Sequence, residues 1–484
     1  MPTVFKPTDI YTVAQSVANQ ATGRSDIVVT DHQGFIDAGK MSLDAGVDAL
    51  TEALFVTVTD VFVKERPYTG KFKLVSKNFG PYNDTHANIH FYTKYDEASG
   101  AWNTDLFTNL KDGFDNGTNG GQSAPDMWVQ NGPMPLERFY RTSAVYQKRM
   151  TIYEEQLKPA FNNETTFLAF INGYAINIQN ELEVYEENLN RTAVADRIAG
   201  VYLQVQRGIL GPECAVDFTK LFQDETGTTY TRDEIIKEHM TEFLEILMAK
   251  LKIDSDRLEE ISALYHDNKK KTVDGVDYYI LGHTPKAAQR AFFNKEILFK
   301  ARSRVAPEIF GPQFIPEAQG ENVGFWQSNL EGHRYEINCI PSLPDGEVSE
   351  AVNLDMVLGL VFADDAIYTY NQLERTADTP LEAAKLYRNR IFHMKAGRYT
   401  DYLENSIIYY MSEYGNLYRK DQFTGDGSET DFVLTDAADQ ILKVTVDGTE
   451  TTAYTYDSDT KTITFTTAPA NKKAVVIEYT VAGN

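Results

Sequence analysis

His86 and His90 are the pair whose residue type first suggests a metal. Imidazole nitrogens bind zinc, and two of them one helical turn apart can clasp one ion. These two lie in an extended region, where four residues span about 13 Å. They cannot share an ion, so core or surface histidines are the better reading. The other six histidines are scattered. The adjacent acids Glu154-Glu155 and Glu186-Glu187 fall on helical stretches. Neighbouring helical side chains point apart, so neither pair is an acid–base dyad. Gly425-x-Gly427 has no strand-to-helix context, and neither G-x-x-x-x-G-K-[ST] nor G-x-S-x-G occurs. Asp447-Gly448 and Asp457-Ser458-Asp459 raise calcium, but the spacing of a twelve-residue loop is missing and turn chemistry accounts for them. The expectation is no catalytic, cofactor-binding or metal-binding residue, no cofactor, and a chain that is not an enzyme.

The totals narrow the class. The chain has 484 residues with a net charge of −24, and its 28 Tyr and 27 Phe suit large buried interfaces. A protein that neutralises phosphates shows a basic patch. The longest basic run here is Lys269-Lys270-Lys271, beside Asp267 and Asp274, which reads as a solvated loop. Two cysteines, Cys214 and Cys339, are too few for a disulfide framework and fit a reduced, intracellular assembly site. The opening MPTVFKPTDIYTVAQ lacks the apolar core of a signal peptide, and no apolar run reaches the ~18 residues of a membrane span.

One stretch organises the elements. No proline occurs between Pro159 and Pro212. Phe167, Phe170, Ile171, Tyr174, Ile178, Leu182, Tyr185 and Leu189 recur at spacings of three and four. This period predicts a helix from about Glu164 to Val205, capped by Asn162 or Asn163 and ended by Gly208, Gly211 and Pro212. Its length is about 65 Å at 1.5 Å per residue.

Before it, residues 1–40 show no sustained period. Ser42 is expected to cap a short helix over 42–55, and 56–63 reads as a strand. Residues 65–145 form a long non-helical excursion, two strands around the glycine-rich 113–121. After it, Thr231-Arg232-Asp233-Glu234 is a capping box for an amphipathic helix through Leu251, and Ser255 starts a shorter one. Residues 277–281, 356–362 and 405–411 read as strands. Thr284-Pro285 and Thr379-Pro380-Leu381-Glu382 each predict a helix start. From Phe423 onward short alternating strands, with a hairpin at Asp447-Gly448, indicate a small β-domain.

The order of parts resembles the Hong Kong 97-type major capsid protein of tailed double-stranded DNA phages. The likeness rests on Asp9-Ile10-Tyr11, Gln20-Ala21-Thr22-Gly23, Arg66-Pro67-Tyr68, Gly359-Leu360-Val361-Phe362-Ala363-Asp364-Asp365-Ala366 and Tyr402-Leu403-Glu404-Asn405-Ser406-Ile407. The C-terminal FTGDGSETDFVL with VTVDGTE and ITFTTAP is similar to a β-module found on phage structural proteins. The resemblance implies an α+β Hong Kong 97-type capsid fold plus a C-terminal all-β sandwich-like domain. Its divisions would be an N-terminal arm and short helix (1–58), an extended β excursion (59–150), a peripheral domain with the spine helix (151–210), an axial domain (211–360), a return to the core (361–422) and the β-domain (423–484).

The implied function is self-assembly into the icosahedral head of a tailed phage, with double-stranded DNA inside but not sequence-specifically bound. The implied partners are copies of itself in hexamers and pentamers, then portal, scaffold and other head proteins, with no membrane. The chain would sit in the virion capsid after assembly in the bacterial cytoplasm. Some capsids of this fold cross-link a lysine to an asparagine, for which Lys71 or Lys73 would serve. The β-domain would be exterior decoration or a lattice clamp. A tail or fibre protein with a carbohydrate-binding β-module is the alternative, and a cytosolic enzyme on the central α/β region is a second.

Overall fold

The computed structural model describes residues 7–45, 70–77, 85–94, 134–141, 144–153, 164–273, 276–297, 299, 320–344, 349–380, 382, 385 and 387–482. In chain order, helices α1 (Pro7–Thr22) and α2 (His32–Asp44) precede strands β1 (Thr85–Lys94), β2 (Met134–Arg141) and β3 (Ala144–Tyr153). Helix α3 (Glu164–Gln206) follows, then β4 (Ala215–Asp217), α4 (Phe218–Thr226), α5 (Arg232–Glu238) and α6 (Met240–Arg257). Next come β5 (Lys270–Val273), β6 (Val276–Ile280), β7 (Gln289–Asn294), β8 (Gly320–Val323), β9 (Ile337–Cys339) and β10 (Val352–Leu354). Strands β11 (Val357–Ala363), β12 (Ile367–Asp378), β13 (Tyr387–Thr400) and β14 (Ser406–Tyr410) complete the central part. The C-terminal strands are β15 (Tyr418–Thr424), β16 (Asp431–Val433), β17 (Ala438–Val446), β18 (Thr449–Glu450), β19 (Tyr454–Asp457), β20 (Thr462–Phe465) and β21 (Ala474–Val481). The chain divides into two compact units, one of residues 1–88, 138–193 and 367–399, the other of 89–137, 194–366 and 400–484.

In the first unit, β12, β13 and β3 form an antiparallel sheet in the order β12-β13-β3, with Tyr387 opposite Tyr153 and Ala396 opposite Ala144. Tyr399 stacks between Tyr140 and Tyr368, with ring centroids 4.4 and 4.6 Å away. Helices α1 and α2 belong to the same unit, where the sequence showed no period. Ala14, Val17, Ala18 and Ala21 are buried, as are Phe35 and Ala38. The stripe has helical spacing but is built mainly of alanine, so its hydropathic signal is faint. Ser42 does not cap a new helix. It lies inside α2 and its hydroxyl donates to the Ala38 carbonyl at 2.7 Å. Most of the expected helix over 42–55, the strand over 56–63 and the glycine-rich 113–121 lie outside the described residues.

In the second unit the core is a five-stranded sheet in the order β4-β14-β11-β7-β8. Every residue of β11 is buried, as its unbroken apolar run requires of a strand covered on both faces. Phe218, Phe222, Ile235, Phe243, Leu244, Leu247 and Leu251 from α4, α5 and α6 join Ile407 and Tyr409 of β14 in one apolar cluster. The capping box of α5 forms as expected, with Glu234 accepting the Thr231 amide at 2.8 Å, but the helix expected to run through Leu251 is broken at His239 into α5 and α6.

Three expected helix starts open no α-helix, and each capping residue is engaged outside its own turn. Thr284-Pro285 opens only one 3-10 turn, Lys286–Ala288, and then strand β7, since Phe292 and Phe293 are buried and pair with Leu360 and Gly359 of β11. Ser255 lies inside α6 and its hydroxyl donates to Gln289 Oε1 at 2.6 Å. The Thr379 hydroxyl accepts the Asn389 amide at 3.0 Å, so Thr379-Pro380 lies between strands β12 and β13.

Strands β15, β21, β17 and β18 form one C-terminal sheet and β16, β20 and β19 another. Phe432, Leu434, Val444, Ile463, Phe465, Val475, Ile477 and Tyr479 make a single buried cluster there. The first strand begins at Tyr418, five residues before the change of texture at Phe423. The hairpin at Asp447-Gly448 forms, with Val446 opposite Thr449.

Candidate functional site

Helix α3 is continuous over 43 residues, and its last thirteen belong to the second unit. It ends where expected: Gly208 takes left-handed backbone, and the Leu210 amide returns to the Gln204 carbonyl at 3.3 Å. From Ala193 to Val201 every residue is buried, and Arg197 lies in the middle. A buried guanidinium must satisfy its donors. Arg197 does so on the turn between β13 and β14. It donates to the Asp401 carbonyl at 2.6 Å, the Glu404 carbonyl at 2.8 Å and the Ser406 hydroxyl at 2.7 Å. Its guanidinium lies over the Tyr402 ring, 4.8 Å from the centroid. Gly200, one turn along, gives that ring room: a β-carbon there would sit 1.8 Å from Tyr402 Oη.

The rest of the turn is tied as closely. Asp401 is fully buried, takes the Leu403 amide at 3.0 Å and faces His90 Nε2 at 3.1 Å. Tyr402 Oη donates to the Ser342 carbonyl, and the Ser342 amide donates to Asp196 of α3 at 2.7 Å. Asn405 contacts His266 Nδ1 at 2.8 Å and donates to the Thr284 hydroxyl at 3.1 Å. Burial lowers the Arg197 and His266 pKa values and raises that of Glu404. Burial also pushes the nearby Cys214 thiol up to about 12, against the pull of Arg197. Such a thiol is not poised as a nucleophile. The arrangement is a network of fixed donors that holds one turn to one helix.

The first unit has its own polar seam on α3. The buried positions there are Glu183, Glu187, Asn190 and Arg191. The apolar positions read from the sequence fare differently, with Leu182 and Leu189 half-buried and Tyr185 exposed. Residues 70–77 supply the reason. Lys73 Nζ is 3.3 Å from Glu183, and the Ser76 hydroxyl donates to Glu186 at 3.1 Å. Arg191 pairs with Glu187 at 2.6 Å and covers the buried Phe72 ring. The Thr369 hydroxyl donates to Asn190.

The residues singled out in the sequence are accounted for in these terms. His90 meets Asp401, and among the described residues no group of three His, Cys, Asp or Glu is close enough to hold an ion. Of the lysines raised for cross-linking, Lys73 pairs with Glu183 and Lys71 is exposed. Glu186 and Glu187 point to different partners, Ser76 and Arg191. Lys269 and Lys270 pair with Asp267 and Asp277, and Lys271 lies over Tyr92. Asp457 accepts the Asp459 amide in a turn. Both cysteines are free thiols. The stretch 402–407 and the long helix stood out separately in the sequence, and Arg197 joins them. Its signal in the sequence is a charge inside the small, apolar run Ala193-Val194-Ala195-Asp196-Arg197-Ile198-Ala199-Gly200.

Comparisons with known proteins bear on what this scaffold is for. No curated protein matches the chain. Among solved structures, the capsid of Staphylococcus phage Andhra aligns at 8% identity and a TM-score of 0.43, covering 71% of this chain and 84% of that one. The capsid of cyanophage P-SCSP1u aligns at 12% identity and a TM-score of 0.39, covering 72% and 90%. The mature capsid of bacteriophage PhiM1 aligns at 8% identity and a TM-score of 0.35, covering 71% and 88%. The model of the Phi29-like phage major capsid proteins matches residues 14–410, which include α3, the Arg197 cluster and the whole central sheet. By that match the chain belongs to the Phi29-like phage major capsid protein family.

Proposed function

We propose that this capsid protein has the Hong Kong 97-type arrangement and closes an icosahedral head around double-stranded DNA. The N-terminal arm and the excursion strands would lie over neighbouring subunits, so part of each subunit's stability is the lattice's. The observation that carries this reading is uncovered apolar surface on the excursion strands. Ile89 and Phe91 of β1 are 54% and 53% exposed, Phe139 of β2 is 67% exposed and Val145 of β3 is 61% exposed. A chain that self-assembles has copies of itself to cover such side chains. Hexamers and pentamers would be the units, with portal and scaffold proteins as further partners. The DNA would be enclosed without sequence readout, assembly would take place in the bacterial cytoplasm, and no catalysis is involved. Residues 418–484 would be a β-module on the particle's exterior.

Negative-stain microscopy of the purified chain tests the reading. Closed polyhedral particles are expected, and Phe91→Asp with Phe139→Asp should leave folded subunits without particles. Open fibres, or trimers that bind sugars, would replace this reading with that of a fibre protein. Undiminished particles from the double variant would remove the role given to the excursion strands.

A further inference from the structure

Seven residues, 411–417, join β14 to the C-terminal strands. As a free tether they would let residues 418–484 swing on the subunit. Their polar groups are instead spent on β4, α4 and the start of α5. The Ser412 amide and hydroxyl both go to Asp217, at 3.0 and 2.5 Å, and the Ser412 carbonyl accepts from the Thr219 hydroxyl at 2.6 Å. The Glu413 carbonyl accepts the Arg232 amide at 3.0 Å.

Gln223 is almost fully buried and holds both ends of its amide here. Its nitrogen donates to the Tyr414 carbonyl at 3.1 Å and its oxygen accepts the Asn416 amide at 2.7 Å. Asn416 also donates to Asp224 at 2.5 Å. Gly415 has φ of +56°, and a β-carbon there would fall 2.4 Å from Gln223 Oε1. The backbone is therefore threaded where only glycine passes. On the far side, Arg419 donates to the Asn416 carbonyl at 2.7 Å and to Asp436 at 2.7 Å, which carries the fixation into the module.

We infer that residues 411–417 are a locked junction, an intramolecular docking site on α4 that holds the C-terminal β-module in one attitude on its subunit. The inference rests on the proposal that residues 418–484 form a module. A module so held presents the same face at every lattice position. Any neighbour it meets, a second copy of this chain, meets it in a fixed register. A tethered module would offer no such register.

Hydrogen exchange on the free full-length chain tests this. The Ser412, Gly415 and Asn416 amides should exchange at least about a hundredfold more slowly than an unstructured chain. In Gln223→Ala, Gly415 and Asn416 should exchange at least about tenfold faster than in the wild type, while β17 and β21 keep their protection. Unprotected junction amides in the wild type would overturn the inference whether or not the variant folds. So would a Gln223→Ala chain with unchanged junction protection. Fast exchange in β17 and β21 of the wild type would instead overturn the module itself, so the two failures are told apart.

Discussion

Arg197 is the residue that ties α3 to the turn between β13 and β14. Replacing it by alanine leaves two carbonyls and a hydroxyl without their donor and opens a cavity beneath Tyr402. The expected loss is about 3 kcal/mol or more in urea denaturation, since buried acceptors lose their partner and packing is lost together. A loss under about 1 kcal/mol would mean that the turn is held by its other bonds. Asp254 makes a different prediction. It is buried on α6 beside Lys250 and the Tyr409 hydroxyl, and burial holds its carboxyl above the usual value of 3.8. A raised carboxyl pKa makes the folded state keep its proton longer than the unfolded chain. Its contribution is therefore fully present below the unfolded pKa and is lost as pH rises through the folded one. Asp254→Asn should flatten part of the fall in stability as pH rises above the ordinary carboxyl value of 3.8. Parallel stability profiles for the wild type and the variant would contradict this.

At the scale of elements, α3 is read best as a beam whose buried stripe changes along its length. Its polar seam faces residues 70–77 within the first unit, and its small and aliphatic residues fill the second unit's interior. A proline at Ile178 removes one helical hydrogen bond and clashes with the preceding turn, at a cost of about 3 kcal/mol or more. Ile178→Pro should give soluble subunits but no particles by microscopy; normal particles would refute the continuous beam. The C-terminal strands carry a second prediction. Because β15 starts at Tyr418, a cut after Lys420 would split a strand that pairs with β21 along its length. A segment from Ser412 to the end should fold alone, with dispersed amide resonances, on the strength of its own apolar cluster. A collapsed spectrum would mean that α4 is needed to complete it.

At the scale of the whole molecule, charge is divided unevenly. The residues of the first unit include 20 basic and 20 acidic side chains; those of the second include 26 and 50, and so carry the entire net charge of −24. Copies that approach through the second unit repel one another, and salt screens that repulsion over a Debye length of about 10 Å at 0.1 M. Assembly followed by light scattering should accelerate as sodium chloride rises from about 0.01 to about 0.3 M. Slower assembly with added salt would point to attraction between unlike surfaces as the driving contact.

The sequence by itself determined the features that one local pattern specifies. The unbroken three-and-four spacing placed α3 from Glu164 almost to its last residue, and Thr231 to Glu234 closed a capping box within four residues. The apolar run 356–362 marked a buried strand, which forms one residue later at Val357–Ala363, and Asp447-Gly448 marked the hairpin that forms there. Tertiary structure decided wherever a side chain had a choice of partner. Thr284, Thr379 and Ser255 are good helix caps, yet each hydrogen-bonds a residue outside its own turn, for Thr284 and Ser255 one far along the chain. Glu183 carries no local sign of its burial, and it is the fold that brings Lys73 to it. The Arg197 cluster was out of reach for the same reason. Its acceptors lie more than two hundred residues away, and a buried charge is tolerable only when the fold has already brought its partners to it.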